Sequence, residues 1–131
     1  MEKKLEIASL RKNIRLVEAL IDEISSKQEL EEEIYGKVLI GTVEAVNNAI
    51  IHGNKSNPEK VVNIRIYKKK KELHIVVKDE GEGFDYKNIP DPTAPENIEN
   101  IRGRGVFLMT KLSDKVEFYE NGSIVELIYK L

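Results

Sequence analysis

Two apolar alternations joined by a lysine run constrain this chain more than any other feature. Val61 to Tyr67 and Leu73 to Asp79 carry apolar residues at every second position, the period of a strand with one buried face. Lys68 to Lys71 lies between them and reads as the solvated tip of a hairpin. Leu73, Ile75, Val77 and Asp79 share one side of the second strand. A carboxylate therefore ends a buried apolar face, where it needs a polar partner.

The remaining elements fall around that hairpin. Residues 3–8 alternate weakly, as in a short edge strand. Ser9 reads as the cap of a helix running to about Ser26, with Leu10, Ile14, Val17, Leu20, Ile21 and Ile24 on one face. Gln28 to His52 reads as one or two further helices, ended by Gly53-Asn54 and stopped by Pro58. Phe84 to Ile101 contains Pro90, Pro92 and Pro95 and reads as a long loop, of a length that often serves as a lid. Gly105 to Leu112 reads as a short apolar helix. Lys115 to Tyr119 and Ser123 to Leu131 read as a last hairpin about Asn121-Gly122. Helices that precede and interrupt hairpin-connected strands imply an α+β two-layer sandwich, with helices on one face of a mixed, mostly antiparallel sheet. Residues 1–131 are expected to form a single domain.

Charge and composition narrow the function classes. About a third of the residues are charged, yet the net charge is only −2. No clustered basic surface marks a nucleic-acid binder. There is no cysteine, hence neither a disulfide nor a thiolate metal site. No apolar run approaches the ~20 residues of a membrane span, and the first residues, Met-Glu-Lys-Lys, lack the apolar stretch of a signal peptide. A soluble cytoplasmic protein is the expectation.

Three polar patches carry candidate chemistry. Gly41, Glu44, Asn48 and His52 recur at helical spacing on an otherwise apolar helix. A carboxylate and an amide one turn apart suit a hard cation such as Mg²⁺, which takes one or two protein oxygens and keeps waters. Gly41 beside them leaves room for a ligand. An ordinary solvent-facing stripe has the same pattern. Asn47 turns ~100° away from Asn48, so the spacing to Glu44 favours Asn48. Asp79, followed by Gly81 and Gly83, sets an acceptor at the floor of an apolar slot, suited to the exocyclic amine of adenine, with backbone able to approach closely; the same residues also make good turn chemistry. Gly103-Arg104-Gly105 precedes an apolar helix, where free N–H groups and a guanidinium suit phosphate; a mobile helix junction reads equally well. Ser123 shares a strand face with Val125 and Leu127, within reach of the base side of such a pocket, or is a plain strand-start serine. His52 and His74 have no second ligand at useful spacing and read as surface or helix-end residues.

In order, Glu44-Ala-Val-Asn-Asn48-Ala, Asp79-Glu-Gly81-Glu-Gly83 and Arg102-Gly-Arg104-Gly105 resemble the N, G1 and G2 boxes of the GHKL ATPases, which share the Bergerat nucleotide fold. Glu44 to Gly53 and Gly103 to Met109 are similar, more narrowly, to the small anti-sigma-factor serine kinases of bacteria. The resemblance covers essentially the whole chain. It implies that Asn48 ligates Mg²⁺ and that Glu44 is general base toward an incoming hydroxyl. Asp79 would accept from the adenine amine of ATP, Gly81 and Gly83 would shape the base pocket, and Gly103, Arg104 and Gly105 would close over the phosphates. It implies partners too: a sigma factor, a small antagonist phosphorylated on serine, and a second copy in a homodimer, with no direct nucleic-acid or membrane contact. Rival expectations are a nucleotide-binding module without catalysis, the catalytic half of a split histidine kinase, and a structural domain with decayed boxes. Other phosphate frameworks fit poorly, since there is no Gly-x-x-x-x-Gly-Lys-Ser/Thr loop and no Rossmann glycine spacing.

Overall fold

The computed structural model describes residues 1–83 and 101–131, with the backbone alone at 101–103. The elements run β1 (Glu2–Ala8), α1 (Ile14–Lys27), α2 (Glu32–Asn48), β2 (Val61–Lys69), β3 (Glu72–Lys78), α3 (Ile101–Leu112), β4 (Lys115–Tyr119) and β5 (Ile124–Lys130). The strands form a sheet in the order β1-β2-β3-β5-β4, and all four pairings are antiparallel. The parallel component of the expected mixed sheet is therefore absent among the described residues, while the α+β two-layer arrangement stands.

Alternation decides which face is covered. Val62, Ile64 and Ile66 of β2, Leu73, Ile75 and Val77 of β3, and Val125, Leu127 and Tyr129 of β5 are all buried. They form one cluster with Val17, Ile21 and Ile24 of α1 and Val38, Ala45 and Val46 of α2. Cutting one of the buried isoleucines or leucines among them back to alanine costs about 2–5 kcal/mol. Lys68 to Lys71 are exposed at the β2–β3 turn, as the pattern predicts.

Four local expectations are corrected. Ser9 does not cap α1. A 3-10 turn at Arg11–Asn13 comes first, and Ser9 is buried, its Oγ donating to Lys60 O at 2.8 Å and accepting from Asn54 Nδ2 at 2.8 Å. Gly41 does not open space for a ligand. A side chain there would overlap Tyr129 Oη, so the missing Cβ lets β5 pack against α2. His74 is not a surface residue. It is 8% exposed, stacked on the Tyr67 ring at 4.7 Å, with Nδ1 2.9 Å from Glu126 Oε2. The last helix begins at Ile101, so Gly103, Arg104 and Gly105 lie inside α3 rather than ahead of it. The expected loop from Phe84 to Ile101 lies, up to residue 100, outside the described residues.

α2 ends unusually. Ala49–Gly53 form a π turn, closed by Asn54 N–H donating to Ala49 O at 2.8 Å. The wider turn changes the angular step per residue, and such turns recur at functional sites. Lys55 and Ser56 follow with φ of 52° and 56°, turning the chain toward β2.

Candidate functional site

The three patches converge where α2, α3 and the end of β3 meet. Val77 points into the core, and two residues on Asp79 stays on that side, 7% exposed. Its backbone N–H donates to Ser123 O at 3.0 Å, tying the end of β3 to the start of β5. Its Oδ1 accepts Gly81 N–H at 2.7 Å. Burial so near an apolar face is tolerable because the carboxylate has such partners.

Glycines make this packing possible. A Cβ on Gly53 would overlap the Asp79 carboxylate, and one on Gly81 would overlap Gly53 O. Gly83, at φ +86°, is in the left-handed region, and a Cβ there would overlap Asn121 O in the β4–β5 turn. Gly81 and Gly83 thus let the loop after β3 pass between the end of α2 and that turn. Gly53, which the sequence marks as a helix stop, is thus also a site residue, and its place next to His52 in the Glu44–Gly53 stretch is the signal that points to it.

A narrow cleft opens beside Asp79. Ala45, Ala49, Val77, Met109, Phe118 and Val125 give it apolar walls, with Asn48, Asp79 and Ser123 as polar points. An acceptor at one end of an apolar slot suits a flat ring bearing an amine. The cavity is ≈ 20 Å³, about one water's worth, so a ring enters only as the lining side chains move apart. Met109 is unbranched and adaptable, which suits that movement. Ser123 is 8% exposed, and its Oγ donates to Glu120 O at 2.9 Å. That hydroxyl proton is committed to the turn; what it offers the cleft is an acceptor.

Glu44 and Asn48 meet α3 at Gly105. A Cβ on Gly105 would lie 2.9 Å from Asn48 Nδ2 and 3.2 Å from Glu44 Oε2. Glycine is poor in helix interiors by about 1 kcal/mol, but here it lets α3 approach a carboxylate and an amide. Asn48 is 9% exposed, and its Nδ2 has no hydrogen-bond partner among the described residues. A buried amide with an unmet donor is costly, so the Asn48 side chain is suited to meet a further polar group. Arg104 is exposed, one position before Gly105. His52 lies in the π turn that follows Asn48.

Among the described residues, no group of three or more His, Asp or Glu side chains can hold a metal. Magnesium, held by a single amide oxygen with the rest of its shell from water and phosphate, fits Asn48 beside Glu44. No helix among the described residues is long and apolar enough to cross a membrane.

An antiparallel sheet with helices on one face, and a cleft lined by Asn48, Asp79 and Ser123, define a nucleotide-binding α+β domain of the Bergerat type. The chain belongs to the histidine kinase-like ATPase domain family, whose model matches residues 7–129. It is similar to the serine-protein kinase RsbW of Staphylococcus epidermidis, 36% identical over 97 residues, covering 68% of this chain and 61% of that protein. RsbW of Staphylococcus aureus strain JH9 is 34% identical over 92 residues, covering 65% of this chain and 58% of its own. The chain thus spans about three fifths of the length of these curated relatives.

Proposed function

We propose that this chain is an ATP-dependent serine/threonine protein kinase that acts as an anti-sigma factor. Residues 1–131 work as one cytoplasmic unit, paired in a homodimer. It holds a sigma factor inactive and phosphorylates a serine of a small antagonist protein. The added phosphate weakens the antagonist's grip by placing charge at the interface. The observation that carries the reading is Asp79, a buried carboxylate in an apolar cleft that Asn48 also lines, with Asn48 and Glu44 in turn packed against Gly105. The family and the serine-protein kinase name of the relatives support it.

Each residue has a distinct task. Asp79 accepts a hydrogen bond from the adenine amine, while Gly53, Gly81 and Gly83 keep its surroundings close. Ser123 lies on the base side, where its Oγ can accept from the ring or from water. Asn48 would hold magnesium, which supplies charge neutralisation at the phosphates. Glu44 takes the proton of an incoming serine hydroxyl. Gly103 and Gly105 keep α3 near the phosphates, and Arg104, at the surface, can turn onto them. Phosphoryl transfer needs little beyond such positioning and charge compensation.

Calorimetric titration of ATP and ADP, with and without Mg²⁺, tests the reading, with Asp79→Asn alongside. Magnesium-dependent ATP binding, lost in Asp79→Asn, supports it. A folded wild-type protein that binds neither nucleotide sinks it. An acid-labile phosphorylated product would instead indicate histidine as the acceptor.

A further inference from the structure

Asn54 is 1% exposed, although a helix-stop asparagine belongs at the surface. Its bonds reach far along the chain. Nδ2 donates to Ser9 Oγ at 2.8 Å and to Val61 O at 3.0 Å, while Oδ1 accepts Glu80 N–H at 2.7 Å. Glu80, the residue between Asp79 and Gly81, completes a ring: its Oε2 accepts Val61 N–H at 2.6 Å. Asn54, Val61 and Glu80 therefore each hold the other two. This clasp joins the end of α2, the start of β2 and the loop after β3.

We propose that the Asn54–Val61–Glu80 clasp positions Asp79, making Asn54 and Glu80 specificity-determining residues for the base bound in the cleft. The inference rests on the nucleotide reading given above. Its physical basis is the planarity of the peptide unit. Glu80 N–H belongs to the same plane as the Asp79 carbonyl, so holding that N–H holds ψ of Asp79. The other side of Asp79 is already pinned, through its own N–H, to Ser123 O at 3.0 Å. With both flanking peptides held, and Oδ1 bonded to Gly81 N–H at 2.7 Å, the Asp79 carboxylate keeps one direction. A fixed acceptor rewards a ring that carries an amine and opposes one that carries a carbonyl at that position, because the carbonyl leaves acceptor facing acceptor. Neither Asn54 nor Glu80 need touch the nucleotide; both act through Asp79.

The test compares ATP with inosine triphosphate, which has a carbonyl in place of the amine, in the full chain. Glu80→Ala, Glu80→Gln and Asn54→Ala are titrated with both nucleotides, and amide hydrogen exchange is measured without nucleotide. Glu80→Ala and Asn54→Ala are expected to weaken ATP about three- to tenfold, with inosine triphosphate unchanged or slightly tighter, so that selectivity falls. Glu80→Gln keeps an acceptor oxygen for Val61 N–H and restores the wild-type ratio. Exchange of the Val61 amide rises in Glu80→Ala, and exchange of the Glu80 amide rises in Asn54→Ala. Equal weakening of both nucleotides, wild-type selectivity in Glu80→Ala, or unchanged exchange overturns the proposal. Should Asn54→Ala fail to fold, Glu80→Ala alone decides, since Glu80 is exposed. A wild-type protein that binds neither nucleotide refutes the nucleotide reading and the selectivity with it. The exchange rates then report separately whether the clasp exists.

Discussion

Gly53 backs onto Asp79 so closely that the space of a methyl group on Gly53 is already filled by the Asp79 carboxylate. The last residue of the π turn thus helps set where the buried acceptor stands. Gly53→Ala must push Asp79 aside or shift the loop, an overpacking cost of about 1–3 kcal/mol. The expected outcome is a lower urea midpoint and a larger loss of ATP affinity than Gly36→Ala, whose added methyl meets nothing within 4 Å. Paired denaturation and calorimetry check this.

Glu44 lies beside Asn48 at the edge of α3 rather than at the Asp79 end of the cleft. Its removal should therefore spare nucleotide affinity and strike the chemistry. Glu44→Gln is expected to slow phosphoryl transfer by about 10²- to 10⁴-fold, with the ATP dissociation constant within about twofold of wild type. Transfer to a serine substrate and equilibrium binding, measured on the same preparation, separate the two effects. A parallel loss of binding would move Glu44 from base to binding residue.

Gly41 and Tyr129 make a steric pair with a defined remedy. Gly41→Ala meets Tyr129 Oη head on, whereas the next ring atom, Cζ, is 3.5 Å away, at ordinary contact distance. Gly41→Ala alone should destabilise the fold by about 1–3 kcal/mol. Adding Tyr129→Phe removes the offending oxygen and should recover most of that loss. A double-mutant cycle in urea reads the coupling directly; additive effects would refute the contact.

Alkaline pH probes the same tyrosine. Burial holds the Tyr129 phenol well above its ordinary value of 10.0, and the charge of Asp114 adds to the shift. An acid whose folded value is raised contributes stability that is complete below the unfolded value and lost as pH rises through and beyond it. Stability should therefore fall above about pH 10, with Tyr129 ionising last, as the fold opens. Tyr129→Phe should flatten that alkaline decline and cost little near neutrality, because the hydroxyl makes only a 3.3 Å bond to Lys37 O. Phenolate absorbance against pH, followed alongside circular dichroism, tests both parts.

What could be read from the sequence divides along a physical line. Period-two alternation revealed β2, β3 and β5, because burial of one sheet face imposes it directly on the residues. It also placed Asp79 on the buried side, and helical spacing brought Glu44 and Asn48 together. Where local expectation and structure part, the residues are mostly small or polar and their role depends on a distant segment. Ser9 has the chemistry of a helix cap, but its partners are Lys60 and Asn54. Gly41 is empty space until Tyr129 fills it. Gly103-Arg104-Gly105 reads as a lead-in to an apolar helix, yet packing against Asn48 and Glu44 makes Gly105 an asset inside α3. His74 sits on the polar side of the β3 alternation, and the Tyr67 ring, Glu126 and Glu72 around it account for its burial. Local propensity cannot report a neighbour from another part of the chain.

The π turn at Ala49–Gly53 carries a consequence for anyone moving this site elsewhere. A regular α-helix grafted into a new scaffold would bring Glu44 and Asn48 in register with each other. It would deliver the following glycine on the wrong bearing, away from the acidic residue it must shelter. The portable unit is therefore not a helix with a motif on it, but a helix together with its deliberate irregularity.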